Sequence, residues 1–233
     1  MKLERSHRIE VVVLMVLNVG IWGYCQSLGP FQEMVVSDQY GAVPVRMWAA
    51  WRALRESGLS RDVLLAALPL VTANFLHASL GHVSANMLFL WIFGNVVAEA
   101  IGRLGFFALY LLAGMIAVLV YVRTNPTSEI PMVGASGAIA GLEGAYFVFV
   151  FRWELPHPEV WPLDGPIPPW RFAVVALLNF AVDTRAFFGH ARDTTAYGAH
   201  VGGFLGGALL AMVAASLWRP KWRRPDGRAA RRA

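Results

Sequence analysis

The fold of this chain is decided by residues 73–97, which read ANFLHASLGHVSANMLFLWIFGNVV. Apolar residues dominate the stretch, and it is longer than the roughly 20 residues that a helix needs to cross a bilayer. It nevertheless carries His77, His82 and Asn86. Because polar side chains are costly inside a membrane helix, their presence here indicates a functional site.

Five further apolar stretches lie along the chain. Hydrocarbon offers no partner to exposed backbone groups, so each stretch is expected to be a helix. The first is interpreted as a retained span, because no small-x-small cleavage site follows it. The sequence thus predicts an all-α, polytopic membrane protein with six transmembrane helices, at about 9–28, 73–97, 104–121, 132–150, 170–188 and 197–218.

The composition excludes several other classes of protein. Of the 233 residues, 57% are hydrophobic and 15% are charged, and the mean hydropathy is +0.50, whereas soluble domains are nearer a quarter charged. These values exclude a free cytosolic enzyme and a disordered chain. The single cysteine, Cys25, has no partner for an internal disulfide. The sequence also contains no Cys/His cluster of the kind that binds structural zinc.

The basic residues predict the orientation of the chain. Seven of the 20 Lys and Arg fall in residues 219–233, and a basic segment directly after a span is typical of a cytoplasmic flank. No nucleic-acid-binding motif accompanies it, so we expect no nucleic acid as a partner. Placing both termini in the cytoplasm puts 13 of the 20 basic residues on the inner side.

We expect the protein to lie in a bacterial-type inner membrane. The orientation divides the chain into three parts. Residues 1–8 are a cytoplasmic N-terminus, 9–218 are the membrane domain, and 219–233 are a basic cytoplasmic tail. Within the domain, residues 29–71 form a long external connection. Its amphipathic run around Trp48 and Trp51 indicates a segment lying at the membrane interface.

Polar residues on three predicted spans fall at similar depths. In this orientation the second, fourth and sixth spans all begin on the outer side. Ser136 is expected as the fifth residue of the fourth span and His200 as the fourth residue of the sixth, roughly 5–8 Å below the outer ends. His82 and Asn86 are four apart and share one face of the second span. They lie somewhat deeper if that span starts near Ala73, and a tilted or longer helix would bring them level with the other two.

Stripes of small residues predict that these helices approach each other closely. Such stripes let helix backbones come almost into contact in lipid. This would bring Ser136 within the ~2.6–3.2 Å that a nucleophile and its base require. The stripes contain Gly137, Gly141 and Ala145 on the fourth span, and Gly198, Gly202 and Gly206 on the sixth, with Gly203 and Gly207 beside them.

The chemistry that these side chains support is acyl transfer. Ser136 would attack a peptide carbonyl, and His200 would take its proton and return it to the leaving amine. The developing oxyanion would be met by the Asn86 side chain, by His82 and by the Ser136 backbone N–H.

The acidic residues receive weaker predictions. No acid adjoins His200 at a span end, so a Ser–His dyad is predicted, with Asp183 and Asp193 as weak candidates for a third member. Glu143 follows Ser136 by seven residues, so it shares that face about 10 Å deeper. It is interpreted either as a buried neutral acid hydrogen-bonded to a neighbouring helix or as part of a proton or water network.

Three motifs together resemble the rhomboid family of intramembrane serine proteases, in its bacterial-type form. They are HASLGHVSAN at 77–86, GASG at 134–137 and AHVGG at 199–203, and the resemblance extends over about 72–210. It implies a six-helix rhomboid-like bundle with Ser136 as nucleophile and His200 as base. It also implies single-pass membrane proteins as substrates and no metal or other cofactor.

The resemblance also assigns supporting roles. It implies an oxyanion hole formed by His82, Asn86 and the Ser136 amide. Gly134 is a further candidate for support of this hole, and His77 and Glu143 are secondary site candidates. One departure is Ala140, since many rhomboids have Tyr or Phe there, stacked on the catalytic histidine. We expect Ala140 to change how the imidazole of His200 is supported, and we do not expect it to make the protein inactive. The Trp-Arg pair that often precedes the histidines is absent, with residues 68–69 near that place.

Two alternatives stay open. A rhomboid-like pseudoprotease would bind transmembrane helices without cleaving them, and Ala140 is compatible with that function. A small proton-coupled transporter would use His82, Glu143 and Asp183 as a proton path. For the protease, residues 183–195 are the predicted mobile gate. The sequence predicts no oligomeric state.

Overall fold

The computed structural model describes residues 9–153, 155, 167–189 and 195–217. No β-strand occurs among them, so the all-α prediction is confirmed. The predicted termini, 1–8 and 219–233, lie outside the described residues. The helices are α1 Ile9–Ser27, α2 Pro30–Tyr40, α3 Pro44–Ser57, α4 Arg61–Ala67, α5 Pro69–Thr72, α6 Leu80–Thr124, α7 Ser136–Arg152, α8 Pro169–Phe188 and α9 Tyr197–Leu217, with a 3-10 turn at Ala73–Phe75.

Three described helices are long and apolar enough to cross a membrane. They are α1, α6 and the Tyr197–Ala215 part of α9. Large apolar side chains such as Leu17, Leu178 and Leu209 are exposed on the outer faces of the helices, where lipid would cover them. These features confirm an all-α membrane fold, while the number of six spans stays a prediction.

Helix α6 contains the predicted second and third spans in one run, which is broken at Gly102. This glycine has φ 75° and ψ 171°, a combination that residues with a side chain rarely adopt. Beyond the break the chain returns along the first half, since the Tyr110 hydroxyl lies 3.3 Å from the carbonyl oxygen of Asn74. The Arg103 side chain lies 3.7 Å from Glu10, so the start of α1 and the break are at the same end of the bundle.

Helix α9 is wedged between α7 and the second half of α6. A Cβ on Gly203 would overlap the carbonyl oxygen of Gly137, and one on Gly207 would overlap that of Gly141. On its other side, Gly202 faces Val120 of α6 at a distance that leaves no room for a side chain. The predicted close approach of these helices is therefore confirmed, and the two glycine stripes of α9 contact two different neighbours.

The connection predicted at 29–71 is largely helical and contains α2 to α5. It packs on the end of α6, where the Trp48 indole donates to the carbonyl of Val122 at 3.0 Å. Ala42 also pairs with Met132 through two backbone hydrogen bonds of 2.9 Å. The connection thereby fixes the extended segment that leads into α7. Its position at the membrane interface stays a prediction.

Candidate active site

Ser136 is the first residue of α7, and the prediction that it is the fifth residue of its helix is wrong. Residues 132–134 are held in an extended segment, in which the Gly134 amide donates to the carbonyl of Ala73 at 2.9 Å. Gly134 itself has φ 135°, which is incompatible with a helix. The serine consequently lies at a helix N-terminus, where free backbone N–H groups and the positive end of the dipole are concentrated.

The hydroxyl of Ser136 and the imidazole of His200 are in hydrogen-bond contact. Ser136 Oγ and His200 Nε2 are 2.8 Å apart, although the two residues are 64 positions apart in sequence. His200 is the fourth residue of α9, as predicted. A neutral imidazole with an unprotonated Nε2 in this position accepts the hydroxyl proton and activates the oxygen as a nucleophile.

The other nitrogen of His200 has an acidic neighbour, which is one of the two weak candidates predicted from the sequence. His200 Nδ1 lies 3.2 Å from Oδ1 of Asp183 on α8. The expectation of no acid beside His200 is therefore wrong, because the end of α8 packs alongside the start of α9. The sequence contained a signal, since Asn179 and Asp183 are polar, four residues apart and within a mainly apolar helix. Asp193, the other candidate, lies outside the described residues.

His82 and Asn86 lie one turn apart on the same face of α6, close to the start of the helix. The helix starts at Leu80 rather than near Ala73, because the Ser79 hydroxyl accepts a hydrogen bond from the His82 amide and caps the N-terminus. His82 is thus the third residue of its helix and, like Ser136 and His200, lies in the first helical turn.

Asn86 offers a side-chain donor that is not used within the described part of the chain. Its Nδ2 is buried and has no hydrogen-bond partner there. The side chain lines a cavity of about 650 Å³. Other residues that line this cavity are His82, Gly134, Ser136, Ala140, Asp183 and His200.

The two secondary candidates occupy different positions. His77 lies in the turn before α6 rather than on the helix, and its ring packs edge-on against His82 with the centroids 5.1 Å apart. Glu143 is buried on α7, and its Oε1 accepts a hydrogen bond from Asn179 Nδ2 at 3.1 Å. Glu143 thus accepts a hydrogen bond from a neighbouring helix, as the first of its two interpretations expected, and its part in a proton or water network stays a hypothesis.

Ala140 lies on the same face of α7 as Ser136 and lines the cavity. A methyl group is too small to cover the imidazole of His200. No three His, Cys, Asp or Glu side chains in the described ranges are grouped as metal ligands. The absence of a cofactor stays a prediction.

Comparison with known proteins shows a Rhomboid domain over residues 65–217. The chain is 32% identical over 140 residues to Rhomboid-like protein 11, chloroplastic, of Arabidopsis thaliana, covering 60% of this chain and 50% of that protein. It is 30% identical over 164 residues to Rhomboid protein 1, mitochondrial, of Saccharomyces cerevisiae, covering 68% of this chain and 45% of that protein.

A third relative is the human Presenilin-associated rhomboid-like protein, mitochondrial. It is 32% identical over 147 residues, which cover 60% of this chain and 36% of that protein. The matches thus span half or less of the length of these curated relatives. The domain match covers well over half of the present chain and contains Ser136, His200, His82 and Asn86. The chain belongs to the rhomboid family, which is known for intramembrane serine proteases.

Proposed function

We propose that this protein is an intramembrane serine endopeptidase that cleaves single-pass membrane proteins in or near their transmembrane segments. The observation that carries the proposal is the 2.8 Å contact between Ser136 Oγ and His200 Nε2. It occurs in a cavity within a bundle of apolar helices, and a hydroxyl next to an unprotonated imidazole has the geometry of an activated nucleophile.

In the first chemical step, Ser136 Oγ attacks the carbonyl carbon of the substrate while its proton moves to His200 Nε2. The tetrahedral intermediate collapses when His200 gives this proton to the leaving amine, and an ester on Ser136 remains. Water then attacks the ester, with His200 again acting as base. This second attack releases the carboxylate product and regenerates the hydroxyl.

The negative charge of each tetrahedral intermediate is placed beside three donors. The Ser136 amide is at the N-terminus of α7, where the helix dipole adds to its effect. Asn86 supplies the Nδ2 group that has no partner among the described residues, and His82 lines the same cavity. Such donors act on the transition state more than on the ground state and so accelerate the reaction.

The location of the site within its helices supports cleavage near one membrane surface. His82, Ser136 and His200 all lie in the first turn of their helices, so water has a short path to them. We propose that this end of the bundle faces outward, with both termini cytoplasmic in a bacterial-type plasma membrane, on the strength of the basic residues. The relatives named above are chloroplast and mitochondrial proteins, so an organellar membrane is the alternative.

The test uses purified protein in liposomes with a panel of single-span reporter proteins. Wild type should produce a cleaved fragment whose mass places the cut inside or beside the reporter's span, while Ser136→Ala and His200→Ala should produce none. A fluorophosphonate probe, which reacts with activated serines, should label wild type and leave Ser136→Ala unlabelled.

The same experiment separates the rival functions. A pseudoprotease would bind the reporters, give no fragment and take up no probe. A proton-coupled transporter would move protons in the Ser136→Ala variant and stop in Glu143→Gln. Cleavage that is unchanged in Ser136→Ala would contradict the proposed function.

A further inference from the structure

The imidazole of His200 is contacted at both of its nitrogens by side chains from two other helices. Nε2 faces Ser136 Oγ of α7 at 2.8 Å, and Nδ1 faces Asp183 Oδ1 of α8 at 3.2 Å. A neutral imidazole carries its proton on one nitrogen only, and the hydrogen bond made by that nitrogen determines which one. A base for Ser136 must leave Nε2 free, so the proton has to be on Nδ1.

We propose that Asp183 is a positioning residue that holds the His200 proton on Nδ1 and completes a Ser136–His200–Asp183 triad. This inference rests on the proposed function. The carboxylate accepts the Nδ1 proton as a hydrogen bond and stabilises the imidazolium that forms when Nε2 takes the serine proton. Asp183 itself neither gains nor loses a proton in either step.

The surroundings of Asp183 suit a fixed orientation. Its side chain and that of His200 are 20% and 17% exposed, so neither is freely solvated. One helical turn earlier, Asn179 donates to Glu143 of α7. Between the two polar contacts, the Phe180 ring stacks on Phe204 of α9, with the centroids 4.4 Å apart. These contacts set the rotation of α8 about its own axis and aim the carboxylate at the imidazole.

No other described group takes this position at Nδ1. The other titratable side chains at the site are His82 and Tyr121 of α6 and Glu143 of α7, which line the cavity, and Tyr197 of α9. The Tyr197 ring approaches the imidazole edge-on, with the centroids 6.3 Å apart. Ala140 has only a methyl group on the α7 side. Orientation of the imidazole therefore depends on Asp183.

Three variants of the full chain in liposomes test the proposal. Asp183→Asn keeps the shape but removes the charge, and its amide can donate to Nδ1 and favour the wrong tautomer. Asp183→Glu restores the charge. Asp38→Asn is the matched control, because it removes the same charge from an ion pair with Arg46 in the connection between α1 and α6.

We expect Asp183→Asn to lower kcat on the reporter proteins and the rate of fluorophosphonate labelling by about 10²- to 10⁴-fold, with KM changed less than twofold. Asp183→Glu should recover at least tenfold of this loss, and Asp38→Asn should match wild type. A role in packing alone would instead lower the folded fraction and leave the rate per folded molecule unchanged, which would overturn the proposal.

A spectroscopic measurement tests the positioning role independently of activity. In ¹⁵N-histidine protein, the His200 signals are assigned by their loss in His200→Ala. Under conditions where the ring is neutral, they should report a proton on Nδ1 in wild type and a shift toward Nε2 in Asp183→Asn. The same tautomer in both proteins would overturn the proposal. If folded wild type neither cleaves nor reacts with the probe, the proposed function fails, and the tautomer still decides the role of Asp183.

Discussion

Gly134 lies so close to the ring of His82 that a Cβ on residue 134 would be 2.8 Å from both Cε1 and Nε2. The glycine also has φ 135°, in a region that side chains disfavour. Two independent constraints therefore act on the residue two positions before Ser136. They couple the backbone that presents Ser136 to one of the proposed oxyanion donors.

Replacing Gly134 with alanine should displace His82 and slow acylation. We expect Gly134→Ala to label with fluorophosphonate at least tenfold more slowly than wild type. Gly29→Ala is the control, because Gly29 also has a positive φ, of 86°, but nothing within 4 Å of the added Cβ. The control shares the backbone strain without the clash. Equal labelling rates in the two variants would show that the contact with His82 is unimportant.

Asn86 should contribute to the rate but little to stability. Its Nδ2 has no partner among the described residues, so Asn86→Ala breaks no hydrogen bond of that group. We expect kcat on the reporters to fall by about 10²- to 10³-fold, the usual effect of losing one oxyanion donor. Thermal unfolding should shift by only a few degrees. A large loss of stability with an unchanged kcat per folded molecule would contradict the oxyanion role.

Glu143 should be needed for packing and not for catalysis. In Glu143→Gln the side-chain carbonyl still accepts the Asn179 hydrogen bond, so we expect cleavage within twofold of wild type. Glu143→Leu leaves the Asn179 donor without this acceptor and should cost about 1–3 kcal/mol in the free energy of unfolding. Loss of cleavage in a fully folded Glu143→Gln variant would instead place the carboxyl group in the chemistry.

The contact between α7 and α9 should not tolerate a methyl group at Gly203. A Cβ there would overlap the carbonyl oxygen of Gly137, and overpacking of this kind costs about 1–3 kcal/mol. Gly203→Ala should lower the unfolding temperature in detergent. Gly20→Ala on α1, where nothing lies within 4 Å of the added Cβ, should not. Equal stability of the two variants would argue against this close helix contact.

Most of the helical architecture could be predicted from the apolar stretches, because a chain in lipid has few alternatives to helices. The starts of α6 and α7 could not. The capping role of Ser79 is evident only in the structure, where its hydroxyl accepts a hydrogen bond from the His82 amide at the start of α6. The extended segment before Ser136 depends on the pairing of Met132 with Ala42, 90 positions earlier. Hydropathy does not report either interaction.

The residues of the site could likewise be predicted from the sequence only in part. Ser136, His200, His82 and Asn86 could be predicted as a group, because each is a polar residue in an apolar stretch. The contact between Asp183 and His200 could not be predicted, because it depends on how α8 rotates against α9, and that rotation follows from tertiary contacts such as the Phe180–Phe204 stack. Helical periodicity only placed Asp183 and Asn179 on one face.

The central claim is that His200 activates Ser136. The most direct measurement is mass spectrometric mapping of the residue that fluorophosphonate modifies in purified, folded protein. We expect a phosphonyl adduct on Ser136 in wild type and a loss of at least 100-fold in its rate of formation in folded His200→Ala. A wild-type protein that takes up no adduct, or an adduct on Ser136 that forms equally fast without His200, would contradict it.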